Sequence, residues 1–340
     1  MSSTAPAPTT APFGTVEAAT MVVAETVDGV FSAPRAEPVR PLTIHPFAHG
    51  LHYGSACFEG LKAHRGPDGV VRIFRAEAHA ARLCASARSL HLPDPGERLV
   101  LDMITTVVTE NLQDVPDAPG ALYVRPVLLG TDPNIGAAAA PSAEALLYVV
   151  ASPVGDYFAR GQRPLTLFVE TDLPRTTPQF GQIKTGANYA MALGPTLQAR
   201  ADHDADQILF APGGNVQETG AANFLLLDDE RVVTRALDAT FLHGVTRDSV
   251  LTLARDLGLV VEERHVTVDE LRMWAARGEA ALSGTAAVLS GVGTLIMGGD
   301  RVTVGDGEVG AVTQRLRAVL HDIQLGLRED VHGWTRVAGG

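Results

Sequence analysis

Gly181-Gln182-Ile183-Lys184-Thr185-Gly186-Ala187-Asn188-Tyr189 is the stretch from which the fold is predicted. It places a lysine among small and apolar residues, and Arg200 is the only other charged residue between Phe180 and Ala201. Loss of solvation favours the neutral amine of a lysine, and a neutral amine can attack a carbonyl carbon. The alternative is a lysine at the start of a helix whose ammonium group reaches solvent. Other motifs of the chain decide between the two.

The composition is that of a chain with a large core and no basic surface. Its 340 residues are 46% hydrophobic and carry a net charge of -12, which argues against nucleic-acid binding because phosphate contacts need Lys and Arg clusters. The two cysteines, Cys57 and Cys84, and the scattered histidines predict neither a disulfide framework nor a metal site. The sequence has no apolar run long enough for a membrane span. We therefore expect a cytoplasmic protein.

Composition shifts along the chain predict two domains. Residues 1–15 are mostly Ser, Thr, Ala and Pro and are expected to form a disordered tail. A small α+β domain is predicted over 16–152, a connection over 153–180 and a larger domain over 181–340. Helices are predicted at 76–90, 97–111, 188–201, 246–257 and 312–325. Strands are predicted at 70–74, 121–129, 145–151, 165–170, 207–211, 223–227, 231–234, 260–265 and 280–283, with a hairpin around Asp306-Gly307.

Three further motifs carry groups that suit a phosphorylated cofactor. Glu218 lies between a Gly-rich turn and an apolar strand, where a buried carboxylate could meet a cationic ring nitrogen; an exposed turn glutamate is the alternative. Gly244-Val245-Thr246-Arg247-Asp248 precedes an amphipathic helix, so it suits either a phosphate at the helix N-terminus or simple capping. Ser283-Gly284-Thr285-Ala286-Ala287 adds hydroxyl groups and accessible amides.

Together these groups match the needs of pyridoxal 5′-phosphate. That cofactor requires a lysine for a Schiff base, a carboxylate for the pyridinium nitrogen, a partner such as Tyr189 for the phenolate oxygen, and a phosphate site. A nicotinamide enzyme would need Gly-x-Gly-x-x-Gly after an early strand, and a P-loop enzyme would need Gly-Lys-Ser/Thr. The sequence contains neither motif.

The sequence resembles the class IV (fold type IV) pyridoxal-phosphate aminotransferases, and within them the branched-chain amino acid aminotransferases. The resemblance extends from about Pro41 to Trp334. Besides the three motifs above and the Lys184 stretch, it rests on Leu51-His52-Tyr53-Gly54, Phe58-Glu59-Gly60-Leu61-Lys62-Ala63, Ala81-Arg82-Leu83, Tyr123-Val124-Arg125-Pro126, Asn223 and His332-Gly333-Trp334.

The resemblance implies a mixed α+β and α/β protein, with a small N-terminal domain and a larger C-terminal domain that has a β-barrel-like core. It also implies that Lys184 forms the internal aldimine and moves the proton between Cα and C4′. Glu218 would keep the ring nitrogen protonated, and Tyr189 would hydrogen-bond the ring hydroxyl oxygen. The implied phosphate ligands are Arg82, the backbone at Val245 and Thr246, and Thr285.

The same resemblance implies a substrate pocket. Its aromatic positions match Phe58, Tyr53 and Tyr157, and Tyr53 is expected to reach in from a neighbouring subunit, although core packing would also explain Phe58 and Tyr53. The remaining positions are Arg125 and Tyr123 for the carboxylate of glutamate, and Ala286 and Ala287 for the α-carboxylate. Read structurally, Tyr-Val-Arg-Pro could simply be a strand with a surface arginine.

The sequence also departs from the family pattern. Ala187 replaces the usual second glycine before Asn188, and His243 replaces the usual proline of Leu-Pro-Gly. The loop 134–141 is rich in alanine, and 286–290 lacks the paired cysteines of some animal members. These changes concern the substrate side more than the cofactor side.

We predict transamination between branched-chain or related hydrophobic L-amino acids and 2-oxoglutarate, in ping-pong half-reactions, by a homodimer or larger homo-oligomer. One alternative is a specialised relative that acts on another keto acid, a D-amino acid or an amine in a biosynthetic pathway. The other is a non-catalytic binding protein that has kept the fold.

Overall fold

The structure, a computed structural model, describes residues 11–136, 138–155 and 163–339. These residues divide into two compact units. The first takes the described residues of Met1–Tyr157, Ile183–Gly186 and Asp322–Gly340, and the second takes those of Phe158–Gln182 and Ala187–His321. The Lys184 segment and the C-terminal segment thus group with the N-terminal part of the chain, whereas the sequence analysis assigned both to a domain over 181–340.

Both units contain helices and strands, and in the described ranges no helix has the length and apolar character needed to cross a bilayer. The helices are α1 (His49–Tyr53), α2 (Ala76–Ser89), α3 (Glu97–Glu110), α4 (Gly186–His203), α5 (Val245–Asp256), α6 (Val268–Ala275) and α7 (Ala311–Leu325). The strands are β1 (Thr20–Val27), β2 (Val30–Phe31), β3 (Arg35–Pro38), β4 (Ala56–Phe58), β5 (Leu61–Arg65), β6 (Val71–Phe74), β7 (Ala121–Gly130), β8 (Ala145–Val154), β9 (Leu165–Glu170), β10 (Gln207–Phe210), β11 (Asn223–Leu227), β12 (Arg231–Thr234), β13 (Val260–Glu263), β14 (Glu279–Gly284), β15 (Val288–Met297), β16 (Asp300–Thr303) and β17 (Thr335–Val337).

An antiparallel sheet forms the first unit, with nine strands among its described residues. The main path runs β17-β6-β5-β7-β8-β1-β2, while β3 pairs with β1 and β4 pairs with β7. Apolar residues of α2 and α3, such as Leu83 and Met103, pack with sheet residues such as Leu122 and Leu147 in one core. The buried positions of α3 recur every three or four residues, as expected of a helix with one face on a sheet.

The pairing of β7 with β8 sets the polar face of this sheet. The two strands pair over their full length, from Ala121 opposite Val154 to Gly130 opposite Ala145. Leu122 and Val124 are buried in the core. Since successive side chains of a strand point to opposite faces, Tyr123 and Arg125 lie together on the other face of the sheet.

A mixed sheet forms the second unit, with eight strands in its described part. Its path is β10-β9-β15-β14-β11-β12-β13, and β16 pairs with β15. The parallel pairs are β9 with β10, β9 with β15, and β12 with β13. Helix α5 packs against β12, β13 and β14. Helix α5 and strand β14 are thus in direct contact within the second unit.

Gly181, which opens the Lys184 stretch, lies against the backbone of the second unit. A Cβ at this position would be 2.1 Å from the carbonyl carbon of Thr240 and 2.4 Å from the nitrogen of Phe241. Its N–H donates a hydrogen bond of 2.9 Å to the Ala239 carbonyl. Because backbone atoms cannot swing aside as a side chain can, this contact requires glycine.

The observed elements agree with most of the predicted ones and differ at the C-terminal end of the second unit. The strand over 165–170 and those over 223–227 and 231–234 have the predicted bounds. The hairpin predicted around Asp306-Gly307 is wrong, because β15 and β16 are joined at Gly298-Gly299, where both glycines have positive φ. Helix α6 and the strand β15 were not predicted at all.

Candidate active site

Lys184 lies between β9 and α4, and the first unit holds it at both of its backbone polar groups. Its N–H donates a hydrogen bond of 3.1 Å to the Ser86 hydroxyl on α2. Its carbonyl accepts a hydrogen bond of 3.0 Å from the N–H of Phe58. The Nζ atom is 5.2 Å from the centre of the Phe58 ring, and the residue is half-buried. The predicted nucleophile is therefore anchored through its main chain and lies beside an aromatic ring.

The chain contains only two lysines, Lys62 and Lys184, among its 27 basic residues. Lys62 lies on β5 directly opposite Tyr123, and it is 9% exposed. Its Nζ is 5.9 Å from the centre of the Phe13 ring. Any chemistry of a lysine amine in this protein is thus confined to two defined positions.

Arg82, predicted to bind the phosphate, is held by a carboxylate that the sequence analysis did not single out. Glu59 is fully buried, and its oxygens accept hydrogen bonds from Nε and Nη2 of Arg82 at 2.6 and 2.9 Å. His79 donates to the same carboxylate from Nδ1 at 2.7 Å. Both donors lie on α2, which fixes the guanidinium in a bidentate pair.

The protonation states of this cluster follow from its geometry. Burial by itself would raise the pKa of the Glu59 carboxyl, but Arg82 and His79 outweigh that effect and hold the pKa far below its usual range. Burial lowers the pKa of His79, and the neighbouring Glu59 offsets this only in part. A neutral His79 must carry its proton on Nδ1, since a carboxylate can only accept a hydrogen bond.

The two predicted glutamate-binding residues lie together with Phe58. The Arg125 guanidinium carbon is 4.5 Å from the centre of the Phe58 ring and 5.2 Å from that of Tyr123. Its Nη2 donates to the Tyr123 hydroxyl at 2.5 Å. Within the described residues, Arg125 Nε and Ser152 Oγ are buried without a hydrogen-bond partner. A cation held between apolar rings, with an unsatisfied N–H, can receive a carboxylate.

A cavity of about 450 Å³ in the first unit adjoins these residues and includes one that the sequence analysis missed. Phe13 lines it together with Tyr123, Arg125 and Ser152, and the Phe13 ring meets the Tyr123 ring edge-on at 4.9 Å. The predicted tail falls partly outside the described residues, which begin at Ala11. The Ser-, Thr- and Pro-rich sequence around Phe13 gave no indication of its contact with Tyr123.

The other predicted substrate residues are placed as follows. Tyr53 ends α1, is 39% exposed and donates a hydrogen bond to the carbonyl of Ile135. Ala286 and Ala287 lie half-buried in the turn after β14. Tyr157 lies outside the described residues.

Glu218 is buried in the second unit, where three donors surround its carboxylate. Oε1 accepts from Arg175 Nη1 and, at 3.0 Å, from the N–H of Leu242. Oε2 accepts from Asn223 Nδ2 at 2.9 Å. The exposed-turn alternative is therefore wrong, since Glu218 is 2% exposed. Its partner Arg175 is equally buried and was hidden in a Pro-rich stretch that resembled a linker.

Tyr189 also lies beside Arg175, within the second unit. The guanidinium carbon is 5.9 Å from the centre of the Tyr189 ring. Tyr189 is half-buried on α4, one position after the buried Asn188, whose Nδ2 donates to the Phe180 carbonyl at 2.9 Å. The start of α4 is thereby tied to the residues that precede the Lys184 stretch.

The phosphate-binding prediction concerns the start of α5 and the end of β14. Gly244 is the N-cap residue of α5 and has no side chain with which to cap the first-turn N–H groups. A Cβ on Gly244 would be 1.9 Å from Oδ1 of Asn223, and Asn223 pairs with Ser283 across the sheet. Ser283 Oγ is buried with no partner among the described residues. Val245, Thr246 and Thr285 lie at these two ends.

His243 replaces the proline of the family pattern, and it fixes the segment before α5 through a side-chain hydrogen bond. Its Nε2 is 2.9 Å from the carbonyl oxygen of Asp238. The Asp238 carboxylate in turn binds Arg235 and the Thr240 hydroxyl and N–H. A side-chain hydrogen bond thus replaces the backbone restriction that a proline would give.

Comparison with known proteins identifies the family. The sequence model of amino-transferase class IV matches residues 56–294. The chain is a class IV aminotransferase. It is 40% identical over 306 residues, 87% of this chain and 84% of the relative, to a probable branched-chain-amino-acid aminotransferase of Streptomyces coelicolor. It is 36% identical over 340 residues, 97% and 95% of the two chains, to branched-chain-amino-acid transaminase 1 of Bacillus subtilis.

Solved structures agree with this assignment. The aminotransferase is similar to a bacterial branched-chain amino acid aminotransferase solved with pyridoxamine 5′-phosphate, with a TM-score of 0.79 and 26% identity over 94% of this chain and 99% of that one. The predicted fold type IV architecture, a mixed α/β protein, is thereby confirmed. The structural match covers both units of the aminotransferase.

Replacement of His79 by Asn should make the stability of the aminotransferase less dependent on pH. The pKa of His79 is lowered in the folded protein from the ordinary histidine value of 6.5. As the pH falls below that value, His79 therefore takes up a proton in the unfolded chain more readily than in the folded one, and the free energy of unfolding falls. From pH 7.5 to 5.5 the His79 contribution is at most about 1.4 kcal/mol, the limit in which only the unfolded chain takes up the proton. Asn keeps a donor for Glu59 and cannot titrate.

The measurement is urea unfolding of the cofactor-free protein at both pH values. His91→Asn is the matched control, since His91 is exposed and has a positive φ that Asn tolerates. Equal pH dependence of the wild-type and His79→Asn proteins would contradict the assignment of a neutral, buried imidazole.

Proposed function

We propose that this class IV aminotransferase transfers amino groups between branched-chain or related hydrophobic L-amino acids and 2-oxoglutarate. The observation that carries the proposal is the arrangement of Arg125 between the rings of Phe58 and Tyr123. The rings suit an apolar side chain, and the cation suits the second carboxylate of a dicarboxylic acid. The names of the relatives from Streptomyces coelicolor and Bacillus subtilis support the same substrate class.

The cofactor of the proposed reaction is pyridoxal 5′-phosphate, and each unit has donors that fit part of it. The first unit offers a half-buried lysine and a fixed arginine. The second offers a buried carboxylate, the N-terminus of α5 and the buried Ser283 hydroxyl, for which the described residues provide no partner. When bound, the cofactor supplies an electron-withdrawing ring that stabilises negative charge at the substrate Cα.

In the first unit, Lys184 would hold the aldehyde group of the cofactor through Nζ, and the same atom would accept the proton from the substrate Cα. A flexible amine suits this task because one atom must serve as nucleophile and then as base. Arg82 binds the phosphate through its guanidinium, which Glu59 orients. The cluster around Glu59 thus fixes the orientation of this cation.

In the second unit, Glu218 would hold the pyridine nitrogen of the cofactor and keep its proton in place. Arg175, Asn223 and the Leu242 N–H hold the carboxylate in one orientation, which favours its charged form. Tyr189 would donate to the ring hydroxyl oxygen, and Val245, Thr246 and Thr285 would bind the phosphate through N–H and hydroxyl groups. Ala286 and Ala287 would lie at the substrate α-carboxylate, where their small side chains leave room for it.

The proposal includes a homodimer or larger homo-oligomer. Large apolar side chains of the first unit are exposed around α1: Phe47, Leu51, Tyr53 and Ile135. Exposed apolar groups of this size are typical of association surfaces, and Tyr53 would reach the neighbouring subunit's pocket from here. A cytoplasmic location is part of the same proposal, and the free thiols of Cys57 and Cys84 are in keeping with a reducing compartment.

Replacement of Lys184 by Ala should abolish transamination without unfolding the protein. The loss of the amine removes both the attachment point and the base, so we expect kcat to fall at least about a thousandfold. Leucine turnover with 2-oxoglutarate and the far-ultraviolet circular dichroism spectrum are measured together. Substantial turnover by the folded variant would contradict the proposed role. A donor panel of other L-amino acids, D-amino acids and amines, run on the wild type, tests the substrate class.

Replacement of Arg125 by Ala should separate the two substrates. Loss of a charge-assisted pair lowers kcat/KM for 2-oxoglutarate by about 10- to 100-fold, whereas kcat/KM for leucine should change by less than about threefold because its side chain has no charge. Half-reactions are followed separately by single-turnover spectroscopy. Arg98→Ala on α3 is the control, since its side chain is 94% exposed. An equal loss on both substrates would exclude dual recognition by Arg125.

A further inference from the structure

Ser86 occupies a buried position on α2 that an apolar residue would fill equally well. It is 2% exposed, and its neighbours Leu83 and Ala87 belong to the core of the first unit. Serine lowers helix propensity relative to alanine, because its hydroxyl competes for backbone hydrogen bonds. A serine here therefore needs a polar partner.

That partner is the main-chain N–H of Lys184, at 3.1 Å from the Ser86 oxygen. Lys184 lies in neither a helix nor a strand, so no regular ladder satisfies its backbone groups. Its carbonyl is bonded to Phe58 of β4. The two hydrogen bonds attach the main chain of Lys184 to α2 and to β4 of the same unit. The partner in the first bond is the side chain of Ser86, and the partner in the second is the backbone of Phe58.

We propose that Ser86 is a positioning residue for Lys184, whose hydroxyl fixes the point from which the lysine side chain extends. This inference rests on the proposed function. A lysine side chain has four rotatable bonds, so Nζ can serve as nucleophile and base only if its Cα is fixed. A displacement of about 1 Å at a reacting group can cost about a hundredfold in rate.

The chain offers a matched control on the same helix. Ser89 is exposed, and its hydroxyl donates to the Ala85 carbonyl of its own helix at 3.0 Å. Ser86→Ala and Ser89→Ala thus make the same chemical change at two positions of α2, and only the first removes the acceptor of Lys184. Ser86→Cys serves as a second variant, because it keeps the shape of the side chain, with a somewhat larger atom, and provides only a weak acceptor.

The first measurement is amide exchange, which does not depend on activity. Because Lys62 and Lys184 are the only lysines, selective ¹⁵N-lysine labelling gives two backbone resonances. In Ser86→Ala we expect exchange at Lys184 to accelerate at least about tenfold, while Lys62, in a strand paired on both sides, changes by less than about twofold. Ser89→Ala should alter neither resonance.

The second measurement is steady-state kinetics of the loaded enzyme with leucine and 2-oxoglutarate. Ser86→Ala should lower kcat by about 10- to 100-fold and leave both KM values within about threefold, since substrate binding does not involve the hydroxyl. Ser86→Cys should fall between the wild type and Ser86→Ala in both measurements. Ser89→Ala should retain the wild-type kcat.

Two results would overturn the proposal. One is equal Lys184 exchange and equal kcat in Ser86→Ala and Ser89→Ala. The other is acceleration at Lys62 as large as that at Lys184, which would mean that the hydroxyl serves the stability of the unit and not the position of the lysine. If the wild type transaminates no donor, the proposed function fails, yet the exchange comparison still decides whether Ser86 anchors residue 184.

Discussion

The anchoring of the Lys184 main chain is the constraint on which this account of the enzyme depends. One anchor is the N–H of Phe58, at the end of β4, and the other is the hydroxyl of Ser86 on α2. The next residue after Phe58 is Glu59, which holds Arg82 of the same helix. A short strand end and one helix face therefore fix both the Lys184 main chain and the Arg82 guanidinium of the first unit.

Both units use a buried carboxylate, and they use it in opposite ways. In the first, Glu59 is the support and the cation Arg82 is the group offered to the ligand. In the second, Arg175 is the support and the anion Glu218 is the group offered. Removal of one partner from such a pair leaves an uncompensated buried charge at a cost of about 3–5 kcal/mol. Charge pairing thus orients Arg82 and Glu218, and removal of either partner of a pair destabilises the folded protein.

The regular elements were predictable because local patterns encode them, whereas the roles of the site residues came from the resemblance to the class IV aminotransferases and stay predictions. Period-two alternation marks β7 and so places Tyr123 beside Arg125. What the sequence does not contain is contact information between distant residues. Arg175 resembles part of a linker until Glu218 is seen beside it, Phe13 resembles part of a disordered tail, and Glu59 was quoted in a motif without a role. The division of the chain into two units was equally hard to predict from the sequence, because it depends on which of the two units residue 184 packs with.

The central claim, attachment of the cofactor to Lys184, has a direct chemical test in a chain with two lysines. The enzyme loaded with pyridoxal 5′-phosphate is reduced with borohydride, digested and mapped by mass spectrometry. We expect a phosphopyridoxyl mass on the peptide that contains Lys184 and an unmodified Lys62. A label on Lys62 alone, or on neither lysine of an enzyme that binds the cofactor, would contradict it.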